Sequence, residues 1–158
     1  MKCINASTLF LQISNTIDDI DKSVLAGADA TMQSYFAKYL AVYITGIYEQ
    51  SIEEIIWEFA STLGQSEIEN FVANQVHATF RNPDMTNINK LIKQFSTTWS
   101  TQLMRLDSRP KLAIDSMVAN KNLIAHGDAS GITLNDVKAF HRDATVVIET
   151  VDRLLLGI

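Results

Sequence analysis

Over residues 137–155 the apolar side chains Val137, Phe140, Ala144, Val147, Ile148, Val151, Leu154 and Leu155 recur at helical spacing. An α-helix gathers such positions on one face, whereas a strand would scatter them over both. The same period runs through Phe10, Ile13, Ile17, Ile20 and Val24, which predicts a first helix over about Ala6–Val24. A second helix, from about Ala30 to Leu63, carries Met32, Tyr35, Phe36, Tyr39, Leu40, Tyr43, Ile47, Ile55, Ile56 and Phe59. No stretch alternates with period two for long enough to make a strand. The fold expected is all-α: an antiparallel helical bundle with a long second helix and a long C-terminal helix.

Local signals divide the chain. Asp29 is a fit N-cap for the second helix, and Gly46 inside it predicts either close approach of a neighbour or a bend. Ser66-x-x-Glu69 reads as a capping box opening a third helix to about Phe80. Asn82-Pro83-Asp84 is a turn, after which Thr86 is expected to cap a short helix through Phe95. Ser96–Thr101 is polar and weakly patterned, with Trp99 and Leu103 expected to fold it back onto the core. Ser108 or Asp107, with Pro110 in the first turn, starts the next helix. Thr133 with Asp136, flanked by Ile132 and Val137, combines a capping box with a hydrophobic staple for the last one.

The 158 residues suit one helical domain over 1–158 with a proper core. No window has the apolar length of a membrane span and no signal peptide opens the chain, so a cytoplasmic setting without membrane contact is expected. Cys3 is the only cysteine, which excludes an internal disulfide and a cysteine-based zinc site. A net charge of −5 argues against broad nucleic-acid binding, but the charge is unevenly spread. Residues 49–69 hold six acids and no base, whereas residues 81–121 hold seven bases against three acids. A polyanion can be received locally by such a chain, although solvated charge accounts for most runs of this kind. Asp18, Asp19 and Asp21 point to different helix faces and read as solvated surface.

The basic stretch closes with Lys121-Asn122-Leu123-Ile124-Ala125-His126-Gly127-Asp128. It follows an amphipathic run from about Pro110, and Gly127 supplies the backbone freedom a helix C-terminus favours. Asn122 and His126 stand at i and i+4, on one face. Lys121 lies about 140° round from His126 at ~100° per residue. The two converge only if the last turn loosens, the long lysine chain reaches round, or a second chain joins the site.

A Gly-rich phosphate loop, His-Glu-x-x-His and Gly-x-Ser-x-Gly are all missing from the sequence. His77 has no ligand spacing around it, and His141 reads as a boundary histidine. No cofactor and no metal is expected. What remains is acid–base chemistry, and RNA suits it because the 2′-hydroxyl is an internal nucleophile beside the scissile phosphate. A histidine suits proton transfer near neutral pH, and a cation with an amide donor can hold the phosphate. The competing reading is a plain helix stop, with His126 near the carbonyl end of the dipole and satisfied by Asp128 or the backbone.

The octapeptide resembles the signature of the HEPN superfamily, whose familiar form reads Arg-Asn-x-x-Ala-His-Gly. It agrees at Asn122, Ala125, His126 and Gly127 and departs at Lys121, where that form has arginine. Tyr48-Glu49 followed by Ile52, and the Ile132-Thr133 helix start, are similar to the RiboL-PSP-HEPN branch. The resemblance implies an all-helical, metal-independent endoribonuclease, often a toxin or antiviral-defence effector, whose motif helices meet across a homodimer two-fold. Carried over, His126 is the proton-transfer group, Asn122 the phosphate or ribose contact and Lys121 the cationic position. Beyond the motif, Glu49 and Asp128 are candidate supporting acids, Glu49 being either a partner for a base or a rim carboxylate. Lysine is a point charge on a flexible stem where arginine offers a planar fork, so rate falls or only binding survives. The alternative is a non-catalytic HEPN module binding RNA, a nucleotide or a protein partner; an antitoxin is one such partner.

Overall fold

Helix α2 (Ala30–Ser61) is the longest element, at 32 residues. It starts where Asp29 accepts the N–H of Met32 at 2.8 Å, as expected of an N-cap aspartate. The computed structural model describes residues 1–157, and among these it has seven helices and no strand. The others are α1 (Ile4–Leu25), α3 (Ser66–Thr79), α4 (Met85–Phe95), α5 (Thr97–Met104), α6 (Ser108–Ala125) and α7 (Leu134–Leu156). The fold is thus the all-α bundle that the apolar period demands.

α2 packs against α1, α3, α6 and α7, and α6 also packs along α7. Asn5 at the start of α1 bonds Glu54 near the end of α2, so these two helices are antiparallel. The core joins Ile13 of α1, Leu40, Ile44 and Ile52 of α2, Ile114 and Met117 of α6, and Val147 and Ile148 of α7. At the far side of α7, Asp152 is only 3% exposed. Its carboxylate accepts the backbone N–H groups of Lys2 and Cys3. A buried charge needs such partners, and the start of a helix offers them together with a favourable dipole.

The α2 stripe divides. Leu40, Ile47, Ile55 and Ile56 are buried, while Met32, Tyr35 and Tyr39 face solvent. A Cβ at Gly46 would meet nothing within 4 Å, so no helix of the chain approaches closely there.

Helix starts correct the sequence reading at three places. Thr133 and Asp136 form their capping box, with Ile132 and Val137 both buried beside it. Ser66 does not: α3 begins one residue earlier, Glu69 bonding back to the carbonyl of Gln65, so Ser66 is already helical. Its hydroxyl goes to Glu67 instead. The cap of α4 is Asp84, not Thr86, accepting the Asn87 N–H at 2.8 Å. The polar Ser96–Thr101 stretch opens a further helix, α5, with Ser96 as cap of Trp99. Leu103 is fully buried, and Trp99 meets Phe59 edge-on, so the fold-back onto the core holds.

Candidate active site

Helix α6 carries the octapeptide to its end. Its last turn closes with the Gly127 N–H on Ile124 O and the Asp128 N–H on Leu123 O, at 3.1 and 2.9 Å. Gly127 sits at φ 78°, the left-handed conformation that this Schellman closure needs. The carbonyls at the helix end are thereby satisfied by backbone. His126, the C-cap, is exposed, and its imidazole has no hydrogen-bond partner among the described residues. Gly127 is indeed the stop, but the imidazole takes no part in it. Asp128 contributes its N–H to the closure, and its carboxylate likewise has no partner among the described residues. Asp128 therefore forms no hydrogen bond or ion pair with His126 or Lys121 among the described residues.

α6 is regular through Ala125, so the last turn does not loosen. Lys121 Nζ lies 3.4 Å from Oδ1 of Asn122, its neighbour in the motif. Its shorter contact, at 2.8 Å, is to Asn82 Oδ1 in the turn between α3 and α4. Among the described residues Lys121 forms no ion pair.

Glu49, half-buried on α2, sits one step further out. It accepts the backbone N–H of Asn82 at 3.0 Å, and Arg81 Nη1 lies 3.7 Å from its other oxygen. Arg81 also stands 3.6 Å from Glu53, which His77 contacts at 3.2 Å. The base that Glu49 meets thus comes from the α3–α4 turn. Asn82 and Arg81 are the residues that sequence reasoning missed. Asn82-Pro83 was legible as a turn, but no periodicity links position 82 to position 121.

A second feature borders this cluster. Met32, Tyr35, Tyr39 and Val42 are exposed, and with Gly46 they recur three and four apart towards Glu49. At ~100° per residue they and Glu49 share one broad face of α2. Tyr39 stacks on Tyr43 with ring centroids 5.7 Å apart.

The family model described as RiboL-PSP-HEPN matches residues 5–157. The chain belongs to the RiboL-PSP-HEPN family. No curated protein and no solved structure matches it significantly. As a HEPN domain the chain is an RNA-related module at the level of the superfamily, and its motif residues occupy the end of α6. No helix is long and apolar enough to cross a membrane among the described residues.

Proposed function

We propose that this RiboL-PSP-HEPN protein is a metal-independent endoribonuclease acting in the cytoplasm as a toxin or defence effector. The observation that carries the reading is the exposed imidazole of His126, without a hydrogen-bond partner among the described residues, on the same helix face as Asn122, whose Oδ1 lies 3.4 Å from Lys121 Nζ. In the proposed reaction the 2′-oxygen of RNA bonds to the adjacent phosphorus and the bond from phosphorus to the 5′-oxygen breaks. The 2′-hydroxyl loses a proton and the 5′-oxygen gains one, leaving a 2′,3′-cyclic phosphate and a 5′-hydroxyl. His126 transfers the proton. Asn122 and Lys121 hold the phosphate and offset the charge that builds on it.

One imidazole serves one of the two proton transfers at a time. A homodimer supplies the other from the second His126, and the exposed Tyr35–Tyr39–Val42 stripe running towards Glu49 is a surface for it. The alternative, a non-catalytic module that binds RNA or a protein partner, is favoured by Lys121 being a lysine already bonded to Asn82.

Cleavage of single-stranded RNA in EDTA decides between these. The native protein is expected to cleave, His126→Ala to lose at least about a hundredfold of that rate, and Lys121→Arg to gain several-fold through its planar fork. Activity abolished by EDTA and restored by Mg²⁺ overturns the metal-independent mechanism. RNA binding without cleavage in all three proteins leaves the non-catalytic reading.

A further inference from the structure

We infer that Asn82 is a positioning residue that fixes the Lys121 ammonium through a neutral carbonyl, so that the lysine is held in place yet keeps its whole positive charge for an anion. That the anion is an RNA phosphate rests on the ribonuclease reading above.

Asn82 has φ 52°, the only non-glycine among the described residues in the left-handed region. Asparagine tolerates this conformation better than most residues, but it precedes Pro83, and the residue before proline is normally extended. Something must hold it there. Its N–H donates to Glu49 at 3.0 Å, and its carbonyl accepts from Asn87 Nδ2 at 2.9 Å and from the Asp84 N–H at 2.7 Å. With the main chain pinned on both sides, only the side chain is left to reach out. Its Oδ1 ends 2.8 Å from Lys121 Nζ. Strained backbone held by its surroundings tends to mark functional constellations.

The acid that holds the Asn82 main chain is itself occupied within the turn. Glu49 is engaged by the Asn82 N–H and flanked by the Arg81 guanidinium, so its charge is spent on the turn. A carboxylate in direct contact would order Lys121 equally well but would neutralise it. An amide oxygen orders it and leaves the charge in place. A lysine is a flexible point charge without the fork geometry of arginine, and an external clamp supplies the direction it lacks.

The test follows the Lys121 ammonium and Cε signals by NMR in the full chain and, in parallel, affinity for a short single-stranded RNA with a 2′-deoxy linkage at the cleavage position. Asn82→Gly keeps the left-handed turn and the bond to Glu49 and removes only the side-chain amide. Its melting temperature should stay near native, while the Lys121 signals shift and average and RNA binding weakens about tenfold. Asn82→Asp should restore an ordered Lys121 signal and still bind RNA more weakly than native, because it neutralises the charge. An unchanged Lys121 signal in Asn82→Gly overturns the inference and leaves Asn82 as a turn residue. So does native RNA affinity in both variants of a protein that binds RNA. A Lys121 that loosens in a protein that neither binds nor cleaves RNA ends the ribonuclease reading alone and leaves the positioning role standing.

Discussion

The imidazole of His141 lies against the rings of Phe10 and Tyr48, with centroids 5.8 and 5.9 Å away, and its Nδ1 is 2.8 Å from the Tyr48 hydroxyl. Burial pushes its pKa down from 6.5 to about 4. The folded protein therefore binds fewer protons than the unfolded chain between those values. Stability from this group is complete above about pH 6.5 and is lost as pH falls through the window towards 4, by about 3 kcal/mol in all. Urea denaturation across that range should show the loss, and His141→Phe should flatten it while the part due to carboxylates persists. His126, by contrast, is exposed and has no hydrogen-bond partner among the described residues. The sequence separates the two for a simple reason: His141 lies within a strong apolar period, and His126 lies one residue before a glycine. It is silent on Asn82, whose link to Lys121 spans 39 positions and depends on where a turn happens to land.

At the level of the helix, the closure of α6 depends on Gly127. A Cβ there would meet nothing within 4 Å, so its φ of 78° is the whole obstacle to substitution. Gly127→Ala should cost about 1 kcal/mol and Gly127→Asn less, since asparagine accepts the left-handed region more readily. His126→Ala should stay within roughly 0.5 kcal/mol of native, as exposed residues without partners do. Chemical denaturation of the three variants checks the order; a larger loss for His126→Ala than for Gly127→Ala would refute the backbone closure. Helix ends were readable where one residue does the capping, as at Asp29 and Thr133. They were misread where neighbours compete. Asp84 lies directly after Pro83 and captures the start of α4 before Thr86 can, and α5, at 8 residues, is too short for its period to stand out.

At the level of the whole molecule, the exposed face of α2 is the feature the chain leaves uncovered. Tyr35 is 67% exposed and Tyr39 54%, on a helix that is otherwise the centre of the core. If this face joins two copies, the native protein should run as a dimer in light scattering at tens of micromolar, and Tyr39→Glu should shift it to monomer with its helical content intact. A native protein that is monomeric throughout sinks the two-copy cleft. The long stripe on α2 was plain in the sequence, but which of its members face inward was not, because that depends on four helices arriving from elsewhere in the chain.

The buried carboxylate of Asp152 has a bearing on how the chain is born. The amides it receives belong to residues 2 and 3, 150 and 149 positions earlier in the chain, so they are made well before their acceptor. Chains are synthesised from the N-terminus, and contacts between distant residues form late. Until α7 has emerged, the two amides that lead into α1 have no anion to close on, and α2 and α6 have no partner along the faces that α7 covers. Before α7 emerges, therefore, the bundle is unfinished. For a protein whose proposed target is RNA, the delay separates the making of the motif from its assembly, and leaves the template and the translating machinery beside a chain that has not yet folded.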